Sequence, residues 1–110
     1  MTTSSKSNTA NGNGGGIQIM LGSNSNTIRY NVANRSTVDG LTIYMSDGNT
    51  FTDNTVNSNG KFGFVLFGGS SFNTLTGNVG RNNGSFDAYD EGSGTGNVWT
   101  SNNFGTTSGI

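Results

Sequence analysis

The chain has 110 residues, which is the length of one small domain. Five Lys and Arg residues stand against six Asp and Glu residues, so the net charge is −1 and no basic stripe favours nucleic-acid binding. The absence of His and Cys excludes disulfides, thiol nucleophiles and any site built on imidazole. No apolar stretch is long enough to predict a membrane-spanning helix.

The first 15 residues are mostly Ser, Asn, Gly and Thr, and their apolar residues do not alternate. Regular alternation of apolar and polar residues is the main sequence signal of a half-buried strand. We therefore expect residues 1–15 to form a flexible leader or a partial turn.

From residue 16 onward the sequence repeats every 23 or 24 residues. The repeats are residues 16–39, 40–62, 63–86 and 87–110. Asparagine recurs at two points of each repeat, in the rows Asn26, Asn49, Asn73, Asn97 and Asn31, Asn54, Asn78, Asn102. A period of this length is typical of a solenoid whose turns stack on one another.

Each repeat contains three short apolar alternations separated by Asn, Gly and Ser, a pattern that predicts three strands joined by turns. Alignment of the repeats places apolar residues over apolar residues. The clearest rows are Ile28, Phe51, Leu75, Trp99 and Ala33, Val56, Gly80, Phe104. Such a strand buries its apolar face only by stacking on the next turn. The sequence predicts an all-β, single-stranded parallel β-helix of about four turns with three short strands per turn.

The asparagine rows have a structural explanation. Asparagine tolerates left-handed backbone conformations, hydrogen-bonds nearby main chain, and forms amide ladders when it is stacked at equal heights. We expect both rows to be a structural ladder at the turns.

Two segments, NTFTDNTVNSNG and NTLTGNVGRNNG, each precede a strand of glycine and alternating apolar residues. They resemble the right-handed parallel β-helix repeat of pectate-lyase-like proteins, and the resemblance extends over residues 16–110. It implies that the solenoid is right-handed, and it favours an extracellular or cell-surface location.

The resemblance brings no complete active site. Alginate epimerases of this kind use acidic, histidine and tyrosine groups, and pectate lyases use clustered aspartates with calcium and an arginine; neither set can be placed on this sequence. The remaining candidates are Asp87, Tyr89, Asp90 and Glu91. Strand alternation points Asp90 inward and Glu91 outward, so we expect these charges to cap the last turn. We assign no catalytic residue, metal ligand or cofactor.

The outward positions of the first strand predict an exposed apolar strip that is too large to ignore. Its residues are Met20, Thr42, Tyr44, Val65, Phe67 and Tyr89. Aromatic faces stack on sugar rings and also make oligomer contacts. The predicted partners are therefore a polysaccharide, a second copy, or upstream β-helix turns that dock on the N-terminal edge.

These patterns favour a non-catalytic β-helix module, structural or carbohydrate-associated, that forms the C-terminal part of a larger surface or secreted protein. One alternative is the terminal portion of a polysaccharide lyase or C5-epimerase. Another is an ice-binding solenoid, because the second strands carry outward threonines that only Arg29 and Val98 interrupt. These threonines are Thr27, Thr50, Thr52, Thr74, Thr76 and Thr100.

Overall fold

The computed structural model describes residues 4–110, and all regular elements in this range are β-strands. None of these residues forms a helix capable of crossing a membrane. The strands are β1 (Ser4–Lys6), β2 (Ile17–Met20), β3 (Thr27–Arg29), β4 (Leu41–Tyr44), β5 (Thr50–Thr52), β6 (Thr55–Asn57), β7 (Phe62–Phe67), β8 (Thr74–Thr76), β9 (Val79–Arg81), β10 (Phe86–Asp90), β11 (Val98–Thr100), β12 (Asn103–Phe104) and β13 (Thr107–Ser108).

The strands form three parallel sheets along the sides of the solenoid. The sheet orders are β13-β10-β7-β4-β2, β1-β3-β5-β8-β11 and β12-β9-β6. Each strand pairs with the equivalent strand of the neighbouring turn, so every ladder is parallel. The predicted all-β parallel β-helix of about four turns is confirmed.

The register of the sheets follows the alignment of the repeats. Ile28 pairs with Phe51, Phe51 with Leu75, and Leu75 with Trp99, so one apolar row runs through the interior. Phe51 and Leu75 have no exposed surface. Burial of one such side chain contributes about 1.5–3 kcal/mol to the free energy of unfolding, so the row stabilises the packing of each turn on the next.

The described part of the N-terminal segment contacts the first complete turn, whereas residues 1–3 lie outside the described residues. Strand β1 pairs with β3, and Thr9 forms a parallel bridge with Val32. The backbone N–H of Asn8 donates to Oδ1 of Asn31 at 2.9 Å. Asn8 lies 23 residues before Asn31, so it extends the second asparagine row by one member.

The two asparagine rows are continuous ladders of hydrogen bonds inside the solenoid. The backbone N–H and Nδ2 of Asn54 both donate to Oδ1 of Asn78, at 2.9 and 3.0 Å. Nδ2 of Asn54 also donates to the carbonyl of Ile28 at 2.9 Å. Asn54 and Asn78 are buried, and a buried amide without partners costs several kcal/mol. Each turn therefore requires an asparagine in the next turn.

The left-handed backbone conformation is not on the ladder asparagines, so this part of the sequence interpretation was wrong. It belongs to the residue before each asparagine, as at Tyr30 (φ 55°), Asp53 (φ 54°) and Gly77 (φ 69°). That residue turns the chain, and the asparagine that follows can then point inward and bond to the next turn. The asparagine is selected for its amide rather than for its backbone tolerance.

A third ladder lies against the glycines that open the second and third repeats. Ser36 N–H donates to Oδ1 of Asn59, and Asn59 N–H donates to Oδ1 of Asn83, both at 2.9 Å. A Cβ atom at Gly40 would lie 2.5 Å from Nδ2 of Asn59, and a Cβ at Gly63 would lie 2.7 Å from Nδ2 of Asn83. At both glycines the side-chain amide and a backbone carbonyl of the next turn occupy the space that a larger residue would need.

The third ladder is incomplete at Ser36, and this generates a stability prediction. The Ser36 hydroxyl is buried, and among the described residues it has no hydrogen-bond partner. Replacement Ser36→Asn supplies the amide that Asn59 supplies one turn later, so we expect the free energy of unfolding to rise by about 1 kcal/mol. The reciprocal change Asn59→Ser should lower it by about 2 kcal/mol. Urea unfolding measures both values, and a loss of stability in Ser36→Asn would contradict the ladder.

Candidate functional site

The acidic residues of the last turn do not form one site. Asp87 is 3% exposed and lies at the position that Gly63 occupies one turn earlier. Its Oδ1 accepts hydrogen bonds from the backbone N–H and Nδ2 of Asn83, at 3.1 and 2.7 Å. Its Oδ2 accepts from the backbone N–H groups of Gly105 and Thr106, both at 3.0 Å. Asp87 therefore terminates the third ladder, where the next turn has no asparagine.

The surroundings of Asp87 favour its ionised form. Burial alone would raise the pKa of Asp87, but the hydrogen bonds from Asn83, Thr106 and Gly105 outweigh it and hold the pKa below the usual value of 3.8. The charge is used to satisfy four donors at the end of the core, and this leaves no lone pair aimed at a substrate.

Asp90 and Glu91 point away from each other. Asp90 lies opposite Leu66, and its Oδ2 accepts a hydrogen bond from Nε1 of Trp99 at 3.2 Å. Glu91 is exposed, and hydrogen bonds from the Ser93 hydroxyl and the Gly68 N–H lower its pKa. Within residues 4–110, no three His, Cys, Asp or Glu residues converge in a way that could hold a metal ion.

The predicted strip is exposed only in part, so the expectation of exposure was wrong for two of its six residues. Thr42 and Val65 are buried, at 6% and 3% exposure, and the other four are half-buried. Aromatic residues of the strip pack on each other. The rings of Tyr44 and Phe67, for example, have centroids only 4.6 Å apart.

A cleft of about 480 Å³ lies on the outer face of the sheet that contains β4, β7 and β10. Val65, Phe67 and Tyr89 of the predicted strip line it, whereas Met20, Thr42 and Tyr44 do not. We call it the aromatic cleft, and its lining residues are Asp39, Lys61, Phe62, Val65, Phe67, Ser85, Phe86, Tyr89 and Glu91.

Three nearly parallel rings form the aromatic part of the cleft. The centroids of Phe62 and Tyr89 are 4.8 Å apart with an interplanar angle of 12°. Phe86 lies 6.5 Å from Phe62 and 6.3 Å from Tyr89, at angles of 5° and 16°. The Nζ atom of Lys61 is 5.1 Å from the Phe62 centroid. The cleft thus combines flat apolar faces with one ammonium group.

Sequence reasoning missed Phe62 and Phe86 because they end their repeats, outside the three alternations. Phe86 pairs with Phe62 in the structure, and the Phe62 N–H donates to Oδ1 of Asp39, the last residue of the first repeat, at 3.2 Å. The signal in the sequence was the recurrence of Phe at the last position of two successive repeats. The repeat pattern predicts turns between the strands, and a predicted turn does not place its side chains on a common surface.

Two carboxylates flank the cleft, and each has one oxygen available to a ligand. Oδ1 of Asp39 accepts from Phe62, and Oε2 of Glu91 accepts from Gly68 and Ser93. Over the range 4–110, Oδ2 of Asp39 and Oε1 of Glu91 have no hydrogen bond or ion pair. Lys61 contacts the Phe62 ring and forms no ion pair with either carboxylate in the same range.

The threonines of the second strands lie in register on another side of the solenoid. Thr27 pairs with Thr50 and Thr50 with Thr74, while Thr52 pairs with Thr76 and Thr76 with Thr100. The hydroxyls of Thr76 and Thr100 are 3.1 Å apart and hydrogen-bonded. Arg29 and Val98 interrupt the two ranks at opposite ends, where they pair with Thr52 and Thr74.

Comparisons with known proteins agree with the fold. A family model described as "Periplasmic copper-binding protein (NosD)" matches residues 2–109. The crystal structure of a double mutant of the periplasmic alginate epimerase AlgG matches with a TM-score of 0.72 at 24% identity. That match covers 81% of this chain and 23% of the epimerase chain, so it carries the fold alone. No curated protein matches the sequence.

The role of Asp87 is testable by removing its charge. Replacement Asp87→Asn places an NH2 group against one of the two pairs of N–H donors that the carboxylate now accepts, and we expect it to lower the free energy of unfolding by about 2–3 kcal/mol near pH 7. Because the pKa of Asp87 is lowered by folding, the stabilisation is present above pH 3.8 and is lost as the pH falls through the folded pKa. Denaturant unfolding at several pH values should show the difference between the two proteins shrinking in acid; a difference independent of pH would contradict this role.

Proposed function

The chain belongs to the family described as periplasmic copper-binding protein (NosD), a family of right-handed β-helices, and from this premise and the aromatic cleft we propose that it is an exported module that binds carbohydrate without catalysis. The observation that carries the proposal is the group of parallel rings of Phe62, Phe86 and Tyr89. The periplasmic description of the family supports the exported location.

The shape and chemistry of the cleft support a sugar ligand. Pyranose rings present apolar C–H faces that pack on aromatic rings, while their hydroxyl groups need polar partners at the edge of the contact. Phe62, Phe86 and Tyr89 line the cleft and are half-buried, so the ring surface that they leave exposed is apolar. The free oxygens of Asp39 and Glu91 offer acceptors at two ends of the cleft. The lining residues lie on three successive turns, which suits a segment of a longer glycan.

The positions of the carboxylates favour binding over hydrolysis. Asp39 and Phe86 occupy the same corner two turns apart, and Glu91 lies five residues beyond Phe86 along the chain. With a rise of about 3.3 Å per residue and about 4.8 Å between turns, the Cα atoms of Asp39 and Glu91 are roughly 19 Å apart. The carboxylates are also well separated, because they accept from the N–H groups of Phe62 and Gly68, which are roughly 20 Å apart at about 3.3 Å per residue. Acid and base on one glycosidic bond need carboxyl groups about 5–9.5 Å apart.

Copper, which the family description names, does not fit the donors of this chain. Protein copper sites use imidazole, thiolate or thioether ligands. The sequence has no His or Cys, and its three Met residues are the only soft donors. The activity of AlgG is likewise a property of that protein, of which this chain covers about a quarter.

Ring removal tests the proposal directly. We expect Phe62→Ala and Tyr89→Ala each to weaken binding of an oligosaccharide identified on a glycan array by roughly tenfold, because each removes one stacking face. Isothermal titration calorimetry measures the change, and circular dichroism checks that the variants remain folded. Tyr30→Ala is the matched control, since Tyr30 is 50% exposed and lies outside the cleft. Equal binding by all three variants would reject the aromatic cleft as the site.

The threonine ranks support ice binding as a second candidate function. They present hydroxyl groups at the regular spacing of a parallel sheet, about 4.8 Å between turns. If this function holds, the protein shows thermal hysteresis that Thr52→Lys and Thr76→Lys abolish, because a charged side chain disrupts the flat rank. Absence of hysteresis in the unmodified protein excludes this candidate and leaves carbohydrate binding unaffected.

A further inference from the structure

The charges around the aromatic cleft are unequal. Its lining contains two carboxylates, Asp39 and Glu91, and one ammonium group, that of Lys61. Hydrogen bonds to Glu91 lower its pKa, which keeps this carboxylate ionised in weak acid. Since none of the three charges is in an ion pair with another described residue, the lining has one unbalanced negative charge.

The free carboxylate oxygens and the ring faces prefer the same kind of group. Hydrogen bonds from a cation to a carboxylate are roughly twice as strong as neutral ones. Aromatic faces also attract cations, and the Lys61 ammonium 5.1 Å from the Phe62 centroid already uses this attraction. A uronic acid, in contrast, would bring its own carboxylate against Asp39 or Glu91, and like charges repel.

We infer that the glycan bound by the aromatic cleft carries free amino groups, so that the ligand is an oligomer or polymer of unacetylated amino sugars. This inference rests on the proposed carbohydrate-binding function and assigns its ligand class. Asp39 and Glu91 each receive one protonated amino group, while the rings of Phe62 and Tyr89 pack on the sugar faces between them.

The length of the cleft adds a requirement on ligand size. The roughly 19 Å between the Cα atoms of Asp39 and Glu91 exceeds the span of one sugar ring, so a monosaccharide reaches only one carboxylate. Affinity should therefore rise steeply when the ligand becomes long enough to contact both ends.

Three hexamers test the inference with the intact protein: glucosamine hexamer, its fully N-acetylated counterpart, and galacturonate hexamer. At about pH 6 and low salt, where free amino sugars are protonated, we expect the glucosamine hexamer to bind about five- to tenfold more tightly than the N-acetylated one. The galacturonate hexamer should bind most weakly of the three. Added salt should reduce the preference, because it screens charges near the surface.

Charge variants identify the residues responsible for the preference. Glu91→Gln and Asp39→Asn keep a carbonyl oxygen for the backbone bonds from Gly68 and Phe62. Each should reduce the affinity ratio of glucosamine to N-acetylglucosamine hexamer by about two- to fivefold. Lys61→Met removes the competing ammonium and should raise the ratio. Asp53→Asn, which removes a carboxylate outside the cleft, is the matched control and should leave the ratio unchanged.

The outcomes separate this inference from the function on which it rests. If the N-acetylated or galacturonate hexamer binds as tightly as the glucosamine hexamer, the ligand class is wrong and carbohydrate binding stands. A preference for glucosamine that Glu91→Gln, Asp39→Asn and Lys61→Met leave unchanged also overturns the inference, because the charges would then lie elsewhere. Failure of the protein to bind any oligosaccharide, on the array or in calorimetry, rejects the proposed function itself.

Discussion

The buried amide ladders are the constraint on which this solenoid depends. An asparagine such as Asn54 lies inside the core, where its backbone N–H and its Nδ2 group donate to Asn78 in the next turn and Nδ2 also donates to the Ile28 carbonyl in the previous turn. Because an unpaired buried amide is costly, a turn with the wrong length would leave these donors without an acceptor. The ladders therefore hold the repeat at 23 or 24 residues, and the apolar rows beside them stay in register as a consequence.

The same constraint explains how the stack changes at its last complete turn. Asn83 needs an acceptor where the following turn has none, and Asp87 supplies it from the position that glycine holds in the earlier repeats. Asp90 takes an inward position and accepts the indole N–H of Trp99 instead of packing as an aliphatic residue. Two residues that resemble an acidic active site in the sequence are thus used to satisfy donors at the end of the core.

The aromatic cleft lies at one corner of the solenoid, where Phe62 and Phe86 end their repeats, and on the outer face of the adjoining sheet. Hydrogen bonds that fix the main chain also fix the cleft, since Asp39 accepts from the Phe62 N–H and Glu91 from the Gly68 N–H. Phe62 and Phe86 are paired residues of one parallel sheet, and the rings of Phe62, Phe86 and Tyr89 lie nearly parallel. Preorganisation of this kind reduces the side-chain entropy that a protein loses when it binds a ligand.

The sequence by itself determined the parallel β-helix, its turn length and the interior rows, because each repeat places Phe51, Leu75 and their equivalents at the same phase. It did not reveal that the residue before each ladder asparagine carries the left-handed turn, since Tyr30 and Asp53 share no side-chain type. Only the tertiary structure decided that Thr42 and Val65 are covered and that Phe62 and Phe86 reach the cleft. The physical reason is that a periodic pattern specifies which strands stack, whereas the packing of large side chains at corners and on outer faces depends on neighbours one turn away.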